Sequence, residues 1–203
     1  MKIAGVSFSA SENSMNYRGL ELMDKVINFS SIQTASLPLC NSNKPDGVVP
    51  ASIIDFWSKI QEADICVFSV PECTGHYSAA FKNAMDWFVV KGYFNATLGK
   101  NYPFSNKPVF VYTFTPSVNT DVGGRHFKMT KHLLEKMGAD IRSMVVKNDC
   151  WNKLYPNNIG FIEQDCKQIL NCKLQNYDKT DDIMHKVAPW QKKYEEWNTK
   201  WKK

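Results

Sequence analysis

The chain has 203 residues, and at roughly 150 residues per domain that length holds one domain with an extension rather than two full domains. Apolar residues make up 43% and charged residues 22%, a balance that excludes wholesale disorder and collagen-like or low-complexity architecture. The net charge is +5; residues 151–203 hold ten lysines against seven acidic residues, a mild excess without the dense Lys/Arg clustering of a nucleic-acid footprint.

The longest apolar stretches, such as Ile65–Val70, fall far short of the roughly 20 residues that span a bilayer. No stable membrane insertion is expected. At the N-terminus Ser7, Ser9 and Ser11 interrupt any apolar signal region, so a cytoplasmic location is expected. The six cysteines (Cys40, Cys66, Cys73, Cys150, Cys166, Cys172) are read as reduced thiols. No Cys-x-x-Cys or His-x-x-x-His pair occurs and the four histidines are scattered, so no metal site is expected.

In chain order, residues 2–7 predict a buried strand, residues 8–14 a polar loop, and residues 16–27 a helix. Residues 31–37 predict a second strand, and 41–47 (Asn-Ser-Asn-Lys-Pro-Asp-Gly) a turn. Pro50 suits a first helical position, and Ile53, Ile54, Trp57 and Ile60 carry a helix to Glu62. Residues 63–70 form a continuous apolar run, as expected of a central strand covered on both faces. Residues 71–77 read as a loop, and Ala80, Phe81, Ala84, Met85, Phe88 and Val89 trace one face of a helix. Residues 92–107 read as irregular, 108–114 as a strand, 123–137 as a helix closed by Gly138, and 139–146 as a fifth strand.

Strands alternating with helices imply a mostly parallel sheet with helices on both faces. Ligands of such sheets bind beyond the carboxyl ends of the strands, near the point where strand order reverses. Three loops therefore carry the site: 7–16, 71–77 and 115–124. The first combines hydroxyls and backbone amides before a helix, which suits an anion, and it is not a P-loop, because Gly-Lys-Ser/Thr is missing.

At the second loop, Pro71-Glu72-Cys73-Thr74-Gly75-His76-Tyr77-Ser78, followed by Phe81-Lys82-Asn83-Ala84-Met85-Asp86-Trp87, resembles the NAD(P)H-dependent FMN reductase family. That family's pattern is Pro-Glu-Tyr-Asn-x-Ser-x-Pro and then Leu-Lys-Asn-Ala-Ile-Asp-Trp. The first loop resembles its Gly-Ser-x-Arg-x-x-Ser-x-Asn, with Ser9, Ser14 and Asn16 in register, and the resemblance covers residues 1–146. It implies a flavodoxin-like three-layer α/β sandwich with a five-stranded parallel sheet of order 2-1-3-4-5. The flavodoxin-like domain then spans residues 1–150, and residues 151–203 form a helical C-terminal extension packed on the domain or on a partner subunit.

The resemblance further implies FMN as cofactor and NADPH or NADH as electron donor. Ser9, Ser14, Met15 and Asn16, with Ser11 beside them, would hold the FMN phosphate. Pro71, Glu72, Cys73, Thr74 and Gly75 would line its ring together with Thr115, Pro116, Ser117 and Gly123 of the third loop. The activity implied is hydride transfer from NAD(P)H through FMN to flavin, quinone or another small electron acceptor, by a homodimer or homotetramer. An electron carrier or a non-enzymatic flavodoxin-like module is the alternative. No catalytic side chain is nominated, because the cofactor carries the chemistry.

Several departures stand out. Phe8 replaces the family's Gly, Ser11 its Arg, and Cys73-Thr74 its Tyr-Asn, while Glu12 adds a negative charge; weaker FMN binding is expected. Cys73 reads as a small pocket-lining side chain or a reactive thiol. Lys82 and Asp86 read as a helix surface pair. Arg18 reads as a solvated helix residue, the alternative being a substitute for the missing phosphate arginine, and Arg125 and His126 as solvated helix-start residues, the alternative being contacts to a dinucleotide phosphate. In the tail, Trp190, Tyr194, Trp197 and Trp201 form a helical stripe suited to docking on the domain, on a partner subunit or on a membrane surface.

Overall fold

A computed structural model describes residues 1–11, 13–41, 49–94, 102–155 and 157–172. Glu12, most of the 41–47 turn and the tail stripe from Trp190 to Trp201 lie outside the described residues. Five parallel strands, β1 (Ile3–Ser7), β2 (Ser31–Thr34), β3 (Ile65–Ser69), β6 (Pro108–Phe114) and β7 (Asp140–Lys147), form one sheet of order β2-β1-β3-β6-β7. Counted within the sheet alone, that is the expected 2-1-3-4-5, and the order reverses between β1 and β3.

Every residue of β1, β3 and β6 is buried, because helices cover both faces of the sheet. On one face α1 (Met15–Ile27) and α6 (Glu163–Leu170) pack Leu20, Met23, Cys166 and Ile169 against Ile65, Val67, Phe110 and Tyr112. On the other, α2 (Ala51–Gln61), α3 (Ala79–Phe94) and α4 (Phe127–Lys136) pack Phe56, Ile60, Phe81, Phe88 and Leu134 against Val6, Phe68, Val109 and Val111. The approach of α1 depends on Gly19, where an added Cβ would come within 2.4 Å of the Phe114 ring.

The structure corrects four local expectations. The 71–77 loop contains a hairpin, β4 (Glu72–Cys73) against β5 (His76–Tyr77), whose two-residue turn left too short a pattern to read. The helix expected from Gly123 begins at Phe127, because the turn before it is bonded to Glu72. α3 continues past Val89 to Phe94, since Gly92 is tolerated near a helix end. Phe8, assigned to a polar loop, is fully buried and makes edge contacts with Phe68 at 5.1 Å and Phe81 at 5.0 Å.

The described part of the extension continues this architecture. α5 (Cys150–Lys153) follows β7, a short 3-10 turn spans Ile159–Phe161, and α6 lies beside α1. Lys147 at the end of β7 pairs with Asp165 of α6 at 2.5 Å and donates to the Phe161 carbonyl at 2.8 Å. Both charged side chains are largely buried, at 15% and 11% exposure. Removing one partner strands the other away from water, at a cost of about 3 kcal/mol or more. Asp165→Ala is therefore expected to lower stability by about that amount, read as a fall in the urea midpoint at unchanged m-value.

Candidate functional site

The carboxyl ends of the strands carry a cleft of about 280 Å³ lined by Met15 and Asn16, by Pro71, Glu72 and Thr74, and by residues 113–116, Val122 and Arg125. Three chain segments meet there, and named side chains hold them together. Asn16 sits in the first turn of α1, 5% exposed. Its Oδ1 accepts from Ser69 Oγ at 2.8 Å and from the Phe114 N–H at 3.1 Å, and its Nδ2 donates to the Phe114 carbonyl at 3.1 Å. The carboxamide thus ties α1 to the ends of β3 and β6.

Ahead of α1, Ser14 is the N-cap: its Oγ accepts from the Tyr17 N–H at 3.1 Å. Ser9 Oγ accepts from the Ser11 N–H at 3.2 Å, and the Ser11 carbonyl accepts from the Ser14 N–H at 3.2 Å. The first amides of a helix have no intrahelical acceptor, so Met15 and Asn16 present N–H groups at the positive end of α1. Arg18 pairs with Glu21 at 2.7 Å and reaches Asn13 Oδ1 at 3.5 Å, so its charge is largely spent on the helix surface.

Glu72 fastens the second loop to the third. Its Oε2 accepts from the Gly123 and Arg125 N–H groups, both at 2.9 Å. Its Oε1 accepts from Arg125 Nε at 2.6 Å and forms an ion pair with Arg125 Nη2. Burial works against ionisation of this carboxyl, but the hydrogen bonds from Arg125 and Gly123 and the guanidinium charge prevail and hold it below the usual carboxylate range. Gly123 is needed there: its φ is +106°, and an added Cβ would lie 2.7 Å from Val146 Cγ1.

Behind the third loop, His126 is 1% exposed. Thr113 Oγ1 donates to the Val70 carbonyl at 2.7 Å, so its lone pair accepts from His126 Nε2–H at 2.9 Å. Nδ1 then accepts from Thr130 Oγ1 at 2.8 Å. Burial pushes this imidazole down to about 4 against the opposing pull of the Glu72 charge, so it is neutral at physiological pH. Its partners hold β6, the second loop and α4 in register.

Of the residues singled out in the sequence, Met15, Asn16, Pro71, Glu72, Thr74, Thr115 and Pro116 share the cleft wall. Ser9, Ser11 and Ser14 stand on the loop before α1, and Gly123 is fixed behind the cleft by Glu72. Cys73, Gly75 and Ser117 are not among the cleft-lining residues. Cys73 is exposed on the hairpin. Burial pushes Cys66 and Cys166 up to about 12 and Cys150 up to about 11, which leaves those thiols unreactive.

Of the two residues read as solvated at the helix start, Arg125 is exposed, at 56%, but also ion-paired to Glu72, whereas His126 is a buried link. Thr113 and Thr130 gave no signal at all, because a hydrogen bond between a strand and a distant helix leaves no periodic pattern. Asn83 and Trp87, within the segment that carries the resemblance, donate to the Pro38 carbonyl at 3.0 and 2.6 Å. Asn83 Oδ1 also accepts from the Cys40 N–H at 2.8 Å. Lys82 and Asp86 form a surface ion pair on the same helix.

With this geometry in place, the sequence profile described as NADPH-dependent FMN reductase matches residues 1–152. The chain belongs to the NADPH-dependent FMN reductase family. FMN and a nicotinamide electron donor are accordingly its cofactors, and it is an NAD(P)H-dependent oxidoreductase. No curated protein sequence matches the chain significantly. Among solved structures, it is similar to FerB, a flavoenzyme NAD(P)H:(acceptor) oxidoreductase from Paracoccus denitrificans. That likeness has 18% identity and a TM-score of 0.59, over 83% of this chain and 97% of that one. The Trp repressor binding protein of Bacillus subtilis is similar at 14% identity and TM-score 0.58, over 85% and 99% of the two chains. An FMN-dependent NADH-azoreductase from Bacillus anthracis in complex with FMN is similar at 11% identity and TM-score 0.54, over 84% and 100%. At these identities the structures attest the flavodoxin-like fold.

The donor set suits FMN in this reductase: hydroxyls and helix-start amides for a phosphate, and a cleft walled by Pro71, Thr74, Thr115 and Pro116 for a planar ring. Ser7 Oγ, buried at the end of β1 just before the first loop, has no hydrogen-bond partner among the described residues. No metal-binding group of three or more His, Cys, Asp or Glu occurs among the described residues, and no helix described is long and apolar enough to cross a membrane.

Two outcomes test this geometry. His126 has a folded pKa below its ordinary 6.5, so the unfolded chain protonates first and stability is lost as pH falls from about 6.5 through about 4. The stability gap between wild type and His126→Gln is expected to shrink across that window, followed by urea denaturation at each pH. Thr74 holds φ +52° and Gly75 φ +80° in the hairpin turn, a conformation that a β-branched residue adopts at a cost of about 1–2 kcal/mol. Thr74→Asn is expected to raise the melting temperature, a gain of about 1 kcal/mol.

Proposed function

We propose that this reductase passes hydride from NAD(P)H through FMN to free flavin, a quinone or another small electron acceptor. The observation that carries the reading is the cleft itself, in which the start of α1 and the loops after β3 and β6 converge beside the point of strand reversal. FMN, when bound, would supply the hydride-accepting and electron-donating chemistry between the nicotinamide and the acceptor. The chain's own residues bind and orient. Ser9, Ser11 and Ser14 with the amides of Met15 and Asn16 hold the phosphate, while Pro71, Glu72, Cys73, Thr74 and Gly75, with Thr115, Pro116, Ser117 and Gly123, flank the ring. Asn16 and Glu72 fix the spacing between those walls.

No protein proton donor is needed beside the ring, in keeping with a cleft in which, among the described residues, the charged lining side chains Glu72 and Arg125 neutralise each other. Residues 1–150 act as the flavin domain, residues 151–203 as an extension packed on it or on a partner, and the protein works in the cytoplasm as a homodimer or homotetramer. FerB, an NAD(P)H:(acceptor) oxidoreductase by description, supports a broad acceptor range.

The test is a titration with FMN followed by absorbance and fluorescence, then NADH and NADPH oxidation against a panel of flavins and quinones. Saturable binding with a perturbed flavin spectrum and acceptor-dependent oxidation are expected; FMN-loaded protein that oxidises neither nucleotide would sink the reading in favour of an electron carrier. Ser11 stands where the family has Arg, and a charge-assisted contact to phosphate contributes about 1.5–3 kcal/mol. Ser11→Arg is therefore expected to tighten FMN binding by about tenfold or more, measured in the same titration.

A further inference from the structure

We propose that Arg125 is a binding residue for the electron donor, with a guanidinium that Glu72 fixes along one edge and whose other edge binds a pyrophosphate oxygen of the nicotinamide dinucleotide. The identity of the ligand rests on the function proposed above; the anion-binding chemistry rests on the cleft alone. The ion pair is asymmetric. Glu72's side chain is 5% exposed and Arg125's is 56% exposed, so a ligand arriving from solvent meets the cation and not the carboxylate.

Both oxygens of Glu72 are already filled. Oε2 takes the Gly123 and Arg125 backbone N–H groups, and Oε1 takes Nε and Nη2 of the guanidinium. A guanidinium has five N–H donors in a rigid fork. Glu72 uses two of them, and three remain directed away from it. Anchoring one edge removes much of the rotamer freedom that an arginine otherwise loses on binding, so the free edge is preorganised for a bidentate oxyanion. Phosphate matches that fork in spacing and charge.

The FMN phosphate is a poorer candidate for this partner. Ser9, Ser11 and Ser14, which present hydroxyls before α1, do not share the cleft wall that holds Arg125, whereas Met15 and Asn16 do, so the FMN affinity of the variants separates the two phosphates. The half-exposed position of Arg125 suits a ligand that comes and goes, as a dinucleotide substrate must, rather than one that stays. Because the pair is neutral as a whole, its attraction is short-ranged and directional, which discriminates by geometry more than by steering.

The experiment is isothermal titration of the full chain with NADP⁺, NAD⁺ and inorganic pyrophosphate at low and at physiological salt, comparing wild type, R125Q and R125K. FMN affinity and melting temperature are measured on the same preparations. R125Q is expected to weaken dinucleotide and pyrophosphate binding by about tenfold, and R125K, which keeps the charge but lacks the planar fork, recovers only part of the pyrophosphate affinity. Unchanged affinities in R125Q would overturn the proposal. So would an equal loss of FMN affinity, which would mark Arg125 as a support for the loop only. Should R125Q not fold, full wild-type pyrophosphate affinity in R125K would overturn it, because a point charge cannot replace the bidentate fork. A wild type that binds no FMN defeats the flavin reading, and the pyrophosphate comparison then still decides the role of Arg125.

Discussion

The buried carboxylate of Glu72 is the contact on which the cleft depends. A carboxylate taken out of water is costly unless every lone pair is answered, and here four N–H donors answer it, all from a three-residue span of the third loop. Satisfying that charge and shaping the loop are the same event. The backbone amides at 123 and 125 can converge on one oxygen only because Gly123 adopts a positive φ, and the helix that follows can begin only once those amides are used. The late start of α4 at Phe127 is a direct consequence.

Two further links share the pattern of a buried polar side chain that joins segments far apart in sequence. Asn16 ties the start of α1 to the ends of β3 and β6, and His126 ties the start of α4 to β6 and, through Thr113, to Val70. Each of the three loops is therefore anchored just behind its tip, and the third is also bonded within itself, Ser117 Oγ accepting from the Asn119 N–H at 3.1 Å and Asn119 Oδ1 from the Asp121 N–H at 2.9 Å. Such an arrangement places binding groups on rigid supports. Ser78 adds a fourth tie, donating to the Phe8 carbonyl at 2.5 Å while its oxygen caps α3 at the Phe81 N–H.

The sheet and its covering helices were legible because their signals are local and repetitive: the unbroken run around Ile65–Phe68 and the spaced apolar faces of α1, α2 and α3. What escaped was of two kinds. The hairpin at 72–77 is too short to show alternation, and its turn uses Thr-Gly where Asn-Gly is the readable signal. The roles of Arg125 and His126 depend on partners about 50 and 13 residues away in the chain, and no pattern within one segment encodes them. Phe8 misled for a different reason: the segment around it is polar, but strand alternation from Val6 carries residue 8 to the same covered face.

That placement of Phe8 changes what its departure from the family pattern means. A phenylalanine in place of glycine suggests a loop crowded by a bulky ring, yet the ring is fully buried and stacked edge-on among Phe56, Phe68 and Phe81. The substitution fills the core and leaves the outer side of the loop unobstructed. Of the departures in the described part of the first loop, the missing arginine at Ser11 is thus the one that bears on phosphate, and Arg18 does not replace it while Glu21 and Asn13 hold its guanidinium. An anion at this loop is left to hydroxyls and to the helix-start amides. Those groups are neutral, so they give up the charge-assisted part of the affinity while keeping the directional part. The first loop therefore positions a phosphate more than it attracts one.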